Sequence, residues 1–235
     1  IELAVELDEA LAAVGRENLV RVVVLTGTGR AFCSGLDLKD YGIIPNIDHL
    51  SVHRIASRSM GIYSQITRRL RSIPQPVIAA VNGPAFGGGM CLALGADLRI
   101  AGDDAEFNAT GIVNGLTSAE MGAGWILPRL IGAANSSGRL RTGRRVDAAE
   151  ALRIGLVSRV VPTGSVLDEA LDMARSMARY SHHGLEATKQ SLWVEQEISS
   201  LHAAIEFEDR NQLMAGFTDN LPEAIGAVDA GRGPV

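Results

Sequence analysis

The stretch Asn82-Gly83-Pro84-Ala85-Phe86-Gly87-Gly88-Gly89 constrains this chain more than any other. It follows a short apolar run, Val77-Ile78-Ala79-Ala80-Val81, and precedes a second, Met90-Cys91-Leu92-Ala93-Leu94. The first run, with its β-branched residues, predicts a buried strand; the second predicts a helix. Consecutive glycines at such a junction place bare backbone N–H groups at a helix N-terminus. First-turn amides lack intrahelical partners and the helix dipole favours negative charge, so the turn suits an anion. Two kinds of charge fit: a phosphate, or an oxyanion that develops during a reaction.

The rest of the chain narrows the choice. Its 235 residues suffice for one large domain, or a core with a small appendage. A net charge of −5 argues against nucleic acid as the main partner. Basic residues cluster at Arg68-Arg69-Leu70-Arg71 and within 139–145. They read as solvated faces, or as a contact for a phosphate-bearing small ligand. Two cysteines, Cys33 and Cys91, make no disulfide framework and fit a reducing, cytoplasmic setting. No apolar run is long enough to span a bilayer, so no membrane partner is expected. The chain opens at Ile1 and is periodic at once, with Leu3, Leu7, Leu11 and Val14 at helical spacing. The expectation is that further residues precede it.

Further strands are expected at 20–25, 97–101 and 156–161. Helices are expected at 52–71, closed by Pro74 and Pro76, and at 148–154, 167–179 and across most of 185–213. The glycine-rich stretch 111–124 reads as a loop entering a helix. Alternating strands and helices predict an α/β fold, with a last third that is helical only.

Several motifs are absent. Gly27-Thr28-Gly29 begins like a dinucleotide fingerprint, but Phe32 stands where the third glycine belongs. There is no phosphate loop and no Gly-x-Ser-x-Gly elbow. His49 and His53 are one helical turn apart and could share a metal, but only Asp48 is near as a third ligand. The bland reading, surface histidines, is preferred and no metal is expected. His182-His183 reads as a loop pair. Cys33 and Cys91 read as small buried residues rather than catalytic thiols.

Two segments together go beyond a generic α/β pattern. Arg30-Ala31-Phe32-Cys33-Ser34-Gly35-Leu36-Asp37-Leu38 follows a buried strand, and Pro76-Val77-Ile78-Ala79-Ala80-Val81 leads into the glycine turn. The pair resembles the crotonase, or enoyl-CoA hydratase/isomerase, superfamily. Ala96-Asp97-Leu98-Arg99-Ile100-Ala101, Leu127-Pro128-Arg129-Leu130-Ile131-Gly132 and Thr142-Gly143-Arg144-Arg145 match it too. The resemblance implies a crotonase-type ββα spiral over 1–165, its first strands missing. A helical assembly region would follow over 166–235, with Leu201, Ile205 and Leu213 available for contact. It implies a homo-oligomer, a trimer or hexamer. It also implies acyl-CoA thioester substrates, with coenzyme A part of the substrate and no separate cofactor. The backbone amides of Leu36 and Gly88 would hold an enolate-like thioester oxygen. Leu36, Asp37, Leu38 and Lys39, with Gly87 and Gly88, would line the substrate.

The family's hydratase pattern then breaks. Two carboxylates are needed to activate water and manage the α-proton. Their positions are here Cys91, one turn after Gly88, and Gly111. Glu120, slightly later in the second segment, resembles the acid of isomerase-type members. It could shuttle a proton alone, or merely cap the helix that follows. Asp37 reads as structural or at the coenzyme A mouth. Tyr41, His49 and His53 lie where the acyl pocket is usually shaped. The reading is an acyl-CoA thioester enzyme with an atypical acid set. The alternatives are an enoyl- or dienoyl-CoA isomerase acting through Glu120 alone, and a non-catalytic acyl-CoA-binding protein.

Overall fold

The computed structural model describes residues 1–40 and 42–231. Successive turns of the chain repeat one pattern: a strand in one sheet, a strand in a second sheet, then a helix. In the first turn β1 (Val23–Thr26) leads to an isolated parallel bridge between Cys33 and Ala85, then to α2 (Val52–Ser72). In the second, β2 (Val77–Val81) leads to β3 (Ala85–Phe86) and α3 (Gly88–Gly95). In the third, β4 (Leu98–Gly102) leads to β5 (Glu106–Asn108), a short 3-10 turn and α4 (Ala123–Thr142). This is the ββα spiral of the crotonase fold. Helix α1 (Glu2–Val14) precedes it and packs on α2. The chain closes with β6 (Val146–Asp147), α5 (Ala148–Arg153), β7 (Arg159–Val161) and α6 (Val166–Met177). Then come α7 (His182–Val194), α8 (Leu201–Gly216) and α9 (Asn220–Asp229).

The larger sheet has the order β1-β2-β4-β7 and every pairing is parallel. Its inner strand β2 is buried along its whole length, which is why it reads as an unbroken apolar run rather than an alternating one. The smaller sheet has the order β3-β5-β6, with β5 and β6 antiparallel. Its strands are two or three residues long, too short to leave a period in the sequence, and none of the three was expected. Helix α2 stops where Ile73 turns extended, the conformation a following proline imposes. Helix α4 breaks direction at Gly132 (φ 78°, ψ 157°).

Two apolar clusters form the core. One lies between the sheets and α1–α4; the other packs Val166 and Ala170 of α6 against Ile78, Ala80 and Ile100. The second cluster thus carries the core past residue 165 into the first of the late helices. Helix α7 is tied down by a buried polar knot. Lys189 Nζ donates to the carbonyls of Leu70 (2.7 Å) and Gln75 (2.9 Å) and pairs with Asp97 Oδ2 (3.0 Å). Trp193 Nε1 donates to Asp97 Oδ1 at 2.6 Å. His182 and His183 open α7, behind the capping hydroxyl of Ser181, instead of lying in a loop.

Candidate active site

The site forms where the loop after β1 crosses the turn between β3 and α3. Phe86 N–H donates to the Cys33 carbonyl at 2.9 Å, and Phe32 and Cys33 both donate to the Pro84 carbonyl. The approach is close enough to exclude a side chain: a Cβ on Gly89 would lie 1.9 Å from the Cys33 oxygen. Asn82 fixes the loop from the other end. Its Oδ1 accepts from Gly27 N–H and its Nδ2 donates to the Gly29 carbonyl, each at 3.1 Å. Gly35, with φ 91°, carries the loop over the turn; a Cβ on it would stand 3.4 Å from the Gly88 nitrogen. Leu36 therefore begins beside Gly88.

Gly87 shapes the other half. Its φ of 51° and ψ of −119° are open to glycine and costly for other residues. Its N–H goes to the Asn108 carbonyl (2.8 Å) and its carbonyl accepts from Cys91 N–H (3.1 Å). Gly88, the first residue of α3, is half-buried between two buried glycines. Among the described residues, neither the Leu36 nor the Gly88 N–H has a protein acceptor. Amides without a protein acceptor on two neighbouring segments, one of them at a helix N-terminus, are the kind of donors that favour an oxygen gaining negative charge. Asp37 folds the rim: its Oδ1 accepts from Lys39 N–H (2.8 Å) and Asp40 N–H (3.2 Å). Leu36, Leu38 and Lys39 are exposed there.

Cys91 is buried one helical turn after Gly88, and its Sγ lies 3.7 Å from the Glu120 carbonyl oxygen. Burial, then the charge of Glu120, pushes its thiol well above the ordinary range. Burial favours its neutral form, which suits it poorly to acid–base work. Gly111 holds no side chain for a steric reason. A Cβ there would stand 2.2 Å from the Thr117 carbonyl oxygen and 3.0 Å from Ser118 Cα. The loop is folded onto it: Leu116 N–H donates to the Gly111 carbonyl at 2.8 Å. The Ser118 hydroxyl links Ile112 N–H to the Ala109 carbonyl.

Glu120 is brought to this place. Its side chain is half-buried, and burial holds the carboxyl above its usual range. It does not cap α4 with its side chain: Gly122 is the N-cap and no side chain bonds the first turn. Met121, which sequence reasoning missed, is buried in the left-handed region at φ 46°. Its Sδ lies 3.7 Å from where a Gly88 Cβ would be. Thr110 was missed as well; its hydroxyl would meet a Cβ on Gly87 at 2.5 Å. Neither residue type carries a motif, and only the folded turn reveals them.

Other candidates fall away from the site. His49 lies in the irregular stretch before α2 while His53 is inside it, so the two do not share a helix face. Among the described residues no three His, Cys, Asp or Glu side chains gather as metal ligands. Tyr41 lies outside the described residues. The basic clusters are largely committed to the fold. Arg69 pairs with Asp8 (2.8 Å) and Arg71 stacks on Trp193. Arg139 and Arg144 both pair with Glu150, and Arg145 pairs with Glu106 (3.0 Å). Among the described residues no helix is long and apolar enough to cross a membrane.

The family described as enoyl-CoA hydratase/isomerase has a sequence model that matches residues 1–227. The chain belongs to that family of enzymes. It is 48% identical over 235 residues to the probable enoyl-CoA hydratase echA12 of Mycobacterium bovis, covering all of this chain and 82% of that one. It is 34% identical to the 1,2-epoxyphenylacetyl-CoA isomerase of Escherichia coli, covering 99% and 87% of the two chains. Among solved structures it is similar to a probable enoyl-CoA hydratase/isomerase from Mycobacterium abscessus. That match has a TM-score of 0.94 at 42% identity, covering all of this chain and 87% of the other.

Proposed function

We propose that this protein moves a double bond in an acyl-CoA thioester, using Glu120 as a lone proton shuttle. The Leu36 and Gly88 amides hold the thioester oxygen. In a 3-enoyl-CoA, the Glu120 carboxylate takes a proton from C2. The C–H electron pair delocalises to the thioester oxygen, giving a dienolate held by the two N–H groups. Glu120, now protonated, returns the proton to C4 and leaves a 2-enoyl-CoA. No water is consumed and the carboxylate is regenerated.

One observation carries this reading: a half-buried carboxyl, raised by burial, sits on the turn whose backbone carbonyl meets Cys91, while Cys91 and Gly111 offer no second acid. A raised carboxyl is a better match to proton transfer near neutral pH. Coenzyme A as part of the substrate follows from family membership, and no further cofactor is proposed. The exposed apolar side chains Leu201 (77%), Leu213 (68%) and Phe217 (85%) support a homo-oligomer, a trimer or hexamer, as the working form.

The test is product analysis in deuterated water with 2-enoyl-, 3-enoyl- and dienoyl-CoA thioesters, for the wild type and Glu120→Gln. A shifted double bond in the wild type, lost in the variant with acyl-CoA affinity kept, supports the proposal. A 3-hydroxyacyl-CoA product would refute it. Binding without turnover in both proteins would favour a non-catalytic acyl-CoA carrier.

A further inference from the structure

The turn that presents Glu120 is held in a conformation that its sequence does not favour. Met121 (φ 46°) and Gly122 (φ 88°) are consecutive left-handed residues. Glycine takes that conformation freely; methionine rarely does. Something outside the turn must stabilise it. From the helix side, the Glu120 carbonyl accepts Ala123 N–H at 2.8 Å. That bond lies within the turn and does not place it relative to anything else. From the α3 side, the same carbonyl faces Cys91 Sγ at 3.7 Å. The second contact joins the turn to the helix whose first residue is Gly88.

We infer that Cys91 is a positioning residue, its S–H donating to the Glu120 carbonyl and fixing the turn at a set distance from the oxyanion amides. The inference rests on the proposed role of Glu120. By family resemblance the position would suit an acid; on this inference the thiol supplies geometry there instead. Burial keeps the thiol protonated, and only the protonated form can donate. The surroundings suit this: Cys91 is part of the apolar core and Met121 is buried nearby. A residue of similar size without a donor would fill the space and lose the link.

Steady-state kinetics of Cys91→Val, Cys91→Ala and Cys91→Ser, beside Glu120→Gln, test it with a 3-enoyl-CoA substrate. Valine and alanine should each lower kcat by about tenfold, since misplacement of around an ångström costs up to ~10²-fold, with KM changed less than about twofold. Serine, which keeps a donor, should restore kcat to within about threefold of wild type. Wild-type turnover in Cys91→Val overturns the inference, as does a Cys91→Ser enzyme as slow as valine. A loss in alanine but not valine would assign the effect to a cavity and also overturn it. Glu120→Gln separates the two levels. If it stays fully active, the Glu120 reading fails and takes this one with it. If it is inactive while Cys91→Val is normal, only the role of Cys91 fails.

Discussion

Gly89→Ala tests whether the close approach of two backbones, rather than any side chain, builds the proposed oxyanion site. The added Cβ would stand 1.9 Å from the Cys33 carbonyl oxygen and 2.7 Å from its carbon. Ordinary contact begins near 3.4 Å, so the two segments must part by about 1.5 Å. The obstacle is backbone on both sides and cannot swing away. Cys33 is paired to Ala85 and leads through Gly35 to Leu36, while Gly88 precedes the substituted residue. Separation therefore pulls the Leu36 and Gly88 amides apart. An overpacked core site costs about 1–3 kcal/mol of stability. Loss of one oxyanion donor lowers kcat by roughly 10²–10³-fold. Gly88→Ala is the control: its Cβ would meet only Met121 Sδ, at an ordinary 3.7 Å, so the fold should tolerate it. Thermal melts and turnover of both variants decide the matter. A folded Gly89→Ala protein with wild-type kcat would refute the argument that this approach sets the site.

Gly111→Glu places an acid where the family resemblance would put one, yet it should yield no hydratase and should lower the melting temperature, because its Cβ would stand 2.2 Å from the Thr117 oxygen; hydration gained without loss of stability would contradict this. Lys189→Met removes the buried cation that pairs with Asp97 and should cost about 3 kcal/mol, a fall of roughly 6–12 °C in Tm read by calorimetry. The raised carboxyl of Glu120 gives a sign for pH. Its folded-state proton affinity exceeds the unfolded one, so ionising it costs stability as pH climbs from the unfolded carboxylate range through the folded value. Glu120→Gln should therefore be more stable than wild type at neutral pH, with the gain vanishing below pH ~4; equal melting temperatures at pH 7 would count against burial as the cause. Light scattering should find a trimer or hexamer, and a monomer at micromolar concentration would remove the assembly proposal.

Legibility of this chain followed contact range. The buried strand β2, helix α2 and the glycine turn announce themselves because their residues are constrained by near neighbours: apolar runs, a proline stop, an N-terminal glycine cluster. The short strands of the second sheet do not, since two or three residues carry no period and their pairing is decided by the spiral. His182 and His183 were misplaced in a loop because the signal opening α7 is the Ser181 hydroxyl, one residue ahead. In the site, Leu36 and Gly88 were named through resemblance, and the crossing of their two segments comes from contacts more than fifty residues apart. Met121 and Thr110 were invisible, since nothing in a methionine or a threonine marks it as the neighbour of a particular glycine.

The proposed single-acid chemistry has a structural logic. Helix α3 is eight residues long, with Gly88 at its start and Cys91 one turn on. One rigid element thus sets both the amide proposed as an oxyanion donor and the contact to the Glu120 turn. Adding water across a double bond needs one group to activate the water and another to handle the carbon-bound proton. A neutral buried thiol can do neither, and Gly111 is closed to any side chain by the loop packed on it. Moving a proton between two carbons of one dienolate needs a single carboxyl and a charge-stabilising pocket. The arrangement proposed around Glu120 needs only that smaller set, and on this reading hydration would require rebuilding the loop around Gly111 as well as placing an acid there.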